Sequence, residues 1–247
     1  MDEHVATVEA QPRKRTTPAR SGPKWEAEAR ERLRAGLRRF SRPLADLAAR
    51  DANEGDTRLL VTDFLCEALG YDKYAELTTE YQVKGEFADY GVRFDQQTVA
   101  FIEVKRVTTK LTTRHLRQVE MYAVNEGVEW VLLTNGAHWQ VYHLTGGLPV
   151  AIDLAIDVNL LSDEPISQKV NQLFYLTRES FKRRQIDDLW KAKRATSPTS
   201  LARIVCSESV VEAVRKELRR QSGHNVDAVE IAKLLRDTVI RPEALKE

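Results

Sequence analysis

A predicted β-hairpin near the middle of the chain limits the possible folds more than any other feature. Residues 87–94 and 98–107 are rich in the apolar, aromatic and β-branched side chains that favour strands, and Asp95-Gln96-Gln97 joins them. After a predicted helix at 112–125, a second strand pair at 128–134 and 139–144 is separated by Asn135-Gly136, a strong hairpin signal. The chain therefore combines strand pairs with a helix between them.

Further elements flank the two hairpins. An amphipathic pattern at 56–69, closed by Gly70, predicts a helix, and residues 75–83 alternate loosely like a strand. Residues 148–154 are a candidate for one more strand. The order helix, three strands, helix, two strands predicts an α/β (α+β) fold with a central mixed sheet flanked by helices.

The two ends of the chain differ from this central domain, which we place at 54–160. Residues 1–23 form a disordered basic tail by composition, and residues 24–53 carry helical patterns that Pro43 either interrupts or restarts. The pattern after residue 165 is helical, with one long helix at 166–194 and shorter ones at 208–221 and 226–238; the Ser/Thr/Pro segment 196–200 is typical of a linker. We therefore predict an all-helical C-terminal extension at 165–247.

The bulk composition excludes several classes of protein. Of 247 residues, 42% are hydrophobic and 30% charged, which is typical of a soluble globular protein. No apolar run approaches the ~20 residues that cross a bilayer, and neither a signal peptide nor zinc-ligand spacing is present. These features predict a cytoplasmic protein with no membrane partner. A formal net charge of +1 leaves any nucleic-acid surface to local charge segregation.

Three charged residues on the first hairpin form the strongest candidate site. Asp89 lies at the head of one strand, and Glu103 and Lys105 share a face of the next because residues two apart in a strand point the same way. Two carboxylates at ~4 Å repel by roughly 4 kcal/mol at an effective dielectric near 20, so a cation must offset them. Mg²⁺ uses one or two protein carboxylates, and the Val104 carbonyl could add a ligand; Mn²⁺ is a possible substitute. The alternative is a surface hairpin with solvated ion pairs.

Polar, basic and aromatic residues near this hairpin could contact a nucleic acid or could have only a structural role. His115, Gln118 and Tyr122 form a polar stripe on the following helix, and Gly91 would let another backbone approach the strand. Basic side chains border the proposed site and could neutralise phosphates, or could be solvated: Arg106, Lys110, Arg114 and Arg117. The tryptophans of the second hairpin, Trp130 and Trp139, could stack on bases, but core packing is favoured.

Several short motifs occur in an order that resembles a known family. They are Asp56-Thr57-Arg58, Leu65, Ala68-Leu69-Gly70-Tyr71, Ala88-Asp89-Tyr90, Ile102-Glu103-Val104-Lys105, Gln118-x-x-x-Tyr122 and Leu133-Thr134-Asn135-Gly136. Over about residues 54–145 this run resembles the N-terminal nuclease domain of type I restriction enzyme R subunits, a member of the PD-(D/E)xK nuclease superfamily.

The resemblance implies a restriction-endonuclease-like core and a role for each matching residue. Asp89 and Glu103 would bind Mg²⁺, Lys105 would be catalytic, and Gln118 and Tyr122 would support DNA contact and cleavage. An acidic residue on the first helix often completes such sites; Asp56 is the first candidate and Glu67 the second. Glu80 is interpreted as a structural strand residue.

The resemblance also has limits. The chain has no Gly-x-x-x-x-Gly-Lys-Ser/Thr phosphate loop, so we expect neither an ATPase motor nor ATP binding. The expected activity is Mg²⁺-dependent hydrolysis of DNA phosphodiesters, with a role in restriction or defence. One alternative is an inactive nucleic-acid-binding or assembly protein that keeps the fold. Another is a partner-binding module, in which the C-terminal helices form a homodimer or recruit another subunit.

Overall fold

The computed structural model describes residues 22–83, 86–147 and 150–245. The side chains at positions 80, 82, 83, 86, 87, 118 and 122 also lie outside the description. The predicted basic tail therefore falls almost wholly outside the described residues, as do the side chains of Glu80, Gln118 and Tyr122.

The core of the fold is one mixed sheet whose strands follow chain order. The strands are β1 (Leu77–Val83), β2 (Glu86–Phe94), β3 (Gln97–Val104), β4 (Trp130–Thr134), β5 (His138–Thr145) and β6 (Ala151–Asn159). Neighbouring strands are antiparallel except β3 and β4, which are parallel. A parallel pair needs a crossover, and helix α3 (Leu116–Glu126) provides it. The predicted α/β fold with a mixed central sheet is confirmed.

Helices cover both faces of the sheet. Besides α3 they are α1 (Lys24–Ala49), α2 (Glu54–Asp63), α4 (Ile166–Leu173), α5 (Arg178–Lys182) and α6 (Gln185–Ala195). Further along the chain follow α7 (Pro198–Val205), α8 (Glu208–Ser222) and α9 (Ala228–Leu234). The α2 helix continues into a π-helical turn at Phe64–Ala68, and a 3₁₀ turn at Thr113–His115 leads into α3. No helix in the described ranges is long and apolar enough to cross a membrane.

The two predicted hairpins are confirmed, and the first is tighter than expected. Its turn consists of Asp95 and Gln96, which both have positive φ (49° and 71°), and Gln97 already belongs to β3. Two successive residues with positive φ match the right-handed twist of the strands that they join. Gly91 accommodates the ring of Tyr81 and not a backbone, because a Cβ at Gly91 would lie 2.7 Å from that ring.

The predicted interruption at Pro43 is wrong: α1 is one continuous helix with Pro43 inside it. A proline in a helix interior costs about 3 kcal/mol. The apolar stripe of α1 continues on both sides of Pro43 and is buried against the sheet layer, with Phe40, Leu44 and Leu47 all less than a tenth exposed. Burial of such side chains contributes about 1.5–3 kcal/mol each, which offsets the proline.

Two apolar cores lie on opposite faces of the sheet. The larger contains α1, α2 and α4–α6 with Ile102 and Val104, and the smaller contains α3 with Phe101 and Leu133. Trp130 and Trp139 are 3% and 1% exposed, so the core-packing interpretation of these tryptophans is confirmed and base stacking is excluded.

The C-terminal helices differ from the sequence prediction in two places. The long helix expected at 166–194 is broken into α4, α5 and α6, and their side chains Leu173, Phe181 and Ile186 belong to the larger core of the sheet. The segment 196–200 is not a linker but the start of α7, where the Ser197 side chain accepts a hydrogen bond from the Ser200 N–H.

Candidate active site

The site forms where β2 and β3 separate. Their backbones pair as far as Tyr90 and Ile102, and beyond that point the Asp89 side chain takes over the pairing. Its Oδ2 accepts a hydrogen bond from the Val104 N–H at 2.7 Å. A carboxylate therefore replaces a backbone carbonyl at the end of the ladder, which fixes Asp89 beside the last residues of β3.

Glu103 and Lys105 form a close ion pair at the end of β3. The Lys105 ammonium donates to Glu103 Oε1 at 2.5 Å, and the two side chains are 20% and 8% exposed. Burial raises the pKa of the Glu103 carboxyl, the hydrogen bond from Lys105 opposes this rise, and the charge of Asp89 adds to it. The charge of Asp89 therefore acts on the Glu103 carboxyl.

Lys105 keeps its proton in this setting. Burial lowers the pKa of its ammonium, but the hydrogen bond and charge of Glu103 outweigh that effect, and the charges of Glu54 and Asp89 add to it. The resulting pKa lies above the ordinary lysine value. Lys105 is therefore a cation at neutral pH, suited to stabilising negative charge and not to acting as a general base.

Arg58 of α2 is a site residue to which the sequence reasoning gave no role. Its guanidinium donates to Asp89 Oδ1 at 2.6 Å. The Tyr90 hydroxyl, which donates to the Arg58 carbonyl at 3.0 Å and lies 2.9 Å from the Thr62 hydroxyl, holds α2 against β2. The only signal in the sequence was the place of Arg58 in the Asp56-Thr57-Arg58 motif.

The acidic residue that α2 brings near the site is Glu54 and not Asp56. The charge of Glu54 acts on both Glu103 and Lys105, whereas Asp56 pairs with Arg50 at 3.0 Å. Helix geometry explains the difference: Glu54 lies four residues before Arg58 and shares its face, but Asp56 lies two residues away and points elsewhere. The second candidate, Glu67, pairs with Arg39 of α1 at 2.5 Å.

The predicted nucleic-acid contacts have three different placements. Arg106 binds the carbonyl and carboxylate of Asp51, so its charge is already paired. Three other predicted contacts have exposed side chains that form no ion pair with a described residue: Lys110, Arg114 and Arg117. His115 lies near Lys105, and burial together with the Lys105 charge lowers the pKa of its imidazole. The side chains of Gln118 and Tyr122 lie outside the description.

The donor chemistry of the site fits a hard divalent cation. Asp89 and Glu103 offer only oxygen ligands, and Mg²⁺ commonly takes one or two protein carboxylates with water and substrate oxygens. Within the described ranges, no group of three or more Asp, Glu, His or Cys residues is arranged to hold a metal ion. Each oxygen of Asp89 accepts one protein hydrogen bond and keeps a further lone pair for a ligand.

A cleft gives solvent access to this site. It has a volume of about 270 Å³, lies between α2 and the β1–β2 hairpin, and is lined by Arg58, Thr79 and Asp89 among others. The Arg58–Asp89 pair is therefore reachable from outside the protein.

Comparison with known protein families gives a match over the segment that contains these residues. Residues 53–148 match the family model of the type I restriction enzyme R protein N terminus (HSDR_N). We call residues 53–148 the HSDR_N segment, after the family model that they match. The HSDR_N segment extends from α2 to the end of β5 and contains Arg58, Asp89, Glu103 and Lys105. The resemblance inferred from the motifs is thereby confirmed. No curated protein and no solved structure gives a significant match to the chain.

Proposed function

We propose that this protein is a Mg²⁺-dependent DNA nuclease. The observation that carries the proposal is the convergence of Asp89, Glu103 and Lys105 at the point where β2 and β3 separate, within an HSDR_N domain. Asp89 and Glu103 would hold the metal ion, and the Val104 carbonyl is a further candidate ligand. The family supports a role in restriction, which we extend to this chain as part of the proposal.

Each residue has a distinct role in the proposed hydrolysis. When bound, Mg²⁺ would polarise the phosphate and lower the pKa of a coordinated water. Lys105 would place its ammonium beside the scissile phosphate and stabilise the charge that develops on its oxygens. Gln118 would position the reacting groups, with Tyr122 at the DNA.

DNA would approach over the start of α3. Lys110 and Arg114 are exposed on the segment between β3 and α3, Arg117 is exposed in the first turn of α3, and their charges are available to phosphates. Because Lys105 directly follows β3, from which this segment departs, a DNA backbone held there would lie near the carboxylates. Arg106 is a weaker candidate, since binding DNA would require it to leave Asp51.

The test is a cleavage assay with the full chain on linear, nicked and single-stranded DNA, with Mg²⁺, Mn²⁺ or EDTA. We expect products with either metal ion and none with EDTA. Asp95→Asn, which changes an exposed aspartate in the hairpin turn, should cleave like the wild type, whereas Asp89→Asn should not. Absence of products with every substrate and metal ion would refute the nuclease proposal.

One observation favours the alternative of a nucleic-acid-binding protein without turnover. Arg58 already neutralises Asp89, so the carboxylate has a cation partner without a metal ion. In a nuclease, Arg58 would have to move away from Asp89 when the metal ion binds. In an inactive protein, the Arg58–Asp89 pair would remain in place.

The Arg58→Ala variant tests whether Arg58 competes with a metal ion for Asp89. Without its partner, Asp89 is a largely buried carboxylate near Glu103 and gains more from a divalent cation. We expect the Kd for Mn²⁺, measured by titration calorimetry, to fall about threefold to tenfold, the equivalent of about 1 kcal/mol for such a pair. Arg106→Ala, which breaks the exposed pair with Asp51, is the control and should leave the Kd unchanged. A weaker or absent Mn²⁺ signal in Arg58→Ala would show that Arg58 supports the site and does not compete for it.

A further inference from the structure

A wide cleft lies away from the carboxylates, at the other end of the sheet. It has a volume of about 850 Å³ and is formed by the edge strand β6, helices α6 and α7, and the 3₁₀ turn Pro242–Leu245. Sheet order places β6 three strands from β3, a lateral separation of about 14 Å. The HSDR_N segment ends at residue 148, so this cleft lies outside it.

The lining of this cleft is strongly cationic. Its charged residues are Lys193, Arg194, Arg203 and Arg236, against the single carboxylate of Asp153. The Asp153 carboxylate has a hydrogen-bond partner in the cleft wall, because its Oδ2 accepts a hydrogen bond from the Trp190 indole at 3.3 Å. The local charge is therefore well above the +1 of the whole chain.

Two of these cations are uncompensated. Arg203 and Arg236 are exposed, and neither makes a side-chain hydrogen bond or ion pair with another residue in the described part of the chain. Nearby arginines behave differently: Arg215 pairs with Glu212 and Arg220 with Glu217 on α8. Arg203 and Arg236 thus have guanidinium groups free to bind an anion.

The one aromatic residue lining the cleft cannot serve as a stacking platform for a base. The Trp190 ring stacks on His143 with centroids 3.7 Å apart, and the Arg194 guanidinium lies 5.3 Å from its centroid. A ligand would therefore meet guanidinium groups and the hydroxyls of Thr199 and Ser200, which suit phosphate oxygens and not base faces.

We propose that this cleft binds the sugar-phosphate backbone of DNA without reading its sequence, as a second contact that holds substrate apart from the catalytic carboxylates. The proposal deepens the nuclease function and rests on it. Guanidinium groups form bidentate hydrogen bonds with phosphodiesters, and contacts to the backbone alone position a duplex without selecting bases. The proposed phosphate source is a nucleic acid, and the experiment below distinguishes it from a free nucleotide or inorganic phosphate.

The test compares two double variants of the full chain. Arg203→Ala/Arg236→Ala removes the two uncompensated cations, and Lys216→Ala/Arg219→Ala removes two exposed cations of α8 that do not line the cleft. Binding of a labelled duplex is measured in EDTA, so that no cleavage occurs, over a range of salt concentrations. We expect the cleft variant to bind about tenfold more weakly at moderate salt and its salt dependence to fall by about two units of slope, one for each phosphate lost.

Further arms identify the ligand. Arg203→Lys/Arg236→Lys keeps both charges and should retain most of the affinity, and thermal unfolding verifies that all variants are folded. Equal losses in the two alanine variants, or no binding by the wild type, would overturn the proposal. The proposal would also be wrong if deoxyadenosine monophosphate or inorganic phosphate bound to the cleft while the cleft variant kept the duplex affinity of the wild type. It would likewise be wrong if polyglutamate bound the wild type as tightly as DNA and the cleft variant lost both affinities equally.

The same variants separate this proposal from the nuclease proposal. If the wild type cleaves DNA and the cleft variant both binds and cleaves equally well, the second contact is wrong and the nuclease stands. If the wild type binds through the cleft but yields no products with any metal ion, the nuclease proposal fails and the cleft is a DNA-binding surface of an inactive protein.

Discussion

Lys105→Ala is expected to lower the rate of DNA cleavage by at least about 100-fold while the protein still binds DNA. The physical reason is the loss of a fixed ammonium beside developing negative charge, a kind of loss that commonly costs 10²–10³ in rate. The pKa of Lys105 lies above its ordinary value, so the wild-type residue supplies that charge across the neutral pH range. Single-turnover cleavage with saturating enzyme measures the chemical step directly.

The matched control for this variant is Lys110→Ala. Lys110 is exposed and forms no ion pair with a described residue, so its removal weakens DNA binding and leaves the single-turnover rate at saturation nearly unchanged. Lys105→Arg keeps the cation in a wider group and should recover only part of the rate. Equal single-turnover rates in Lys105→Ala and the wild type would remove Lys105 from the catalytic machinery.

The proximity of Glu103, Lys105 and Asp89 follows from local rules. A period of two on a strand places Glu103 beside Lys105, and the short turn at Asp95 and Gln96 forces β2 to return beside β3. Such constraints act over a few residues and can be predicted from the sequence without knowledge of the rest of the fold. They do not show that the Asp89 carboxylate would replace a backbone acceptor for Val104.

The rotation of α2 about its own axis could not be predicted from local rules. The sequence indicates a helix there, but the face toward β2 is decided by long-range contacts such as those of Tyr90 with α2 and of Thr57 with Val107. A helix rotated by two residues would have brought Asp56 to the site, and the observed rotation brings Glu54 and Arg58. The sequence alone does not show whether Glu54 or Asp56 faces the site, because both lie in the first turn of α2.

The C-terminal helices show the same limit at larger scale. Their apolar spacing predicts helices, but not that α4–α6 complete the core of the sheet. Some of the contacts that attach them join residues about a hundred positions apart, as where the Tyr71 hydroxyl donates to the Leu176 carbonyl at 2.9 Å. No spacing rule reaches that far, and the HSDR_N match ends before these helices begin.

Arg178→Met is expected to lower the free energy of unfolding by about 2–3 kcal/mol, because it leaves a buried carboxylate without its cation. The Arg178 guanidinium donates to both oxygens of Glu76 at 2.7 Å, and Glu76 is 7% exposed just before β1. This pair joins α5 to the start of the sheet. The loss falls below the 3–5 kcal/mol of a fully buried pair because the Arg178 side chain is 38% exposed.

The measurement is thermal and urea unfolding of the full chain, with an expected fall in Tm of about 5–10 °C. Arg42→Met is the matched control, because it removes an arginine from an exposed pair with Asp46 at 3.9 Å and should change stability by less than about 1 kcal/mol. Adding Glu76→Gln to Arg178→Met removes the orphaned charge and should restore part of the loss. If Arg178→Met unfolds like the wild type, the pair at the start of β1 contributes nothing measurable to the attachment of the C-terminal helices.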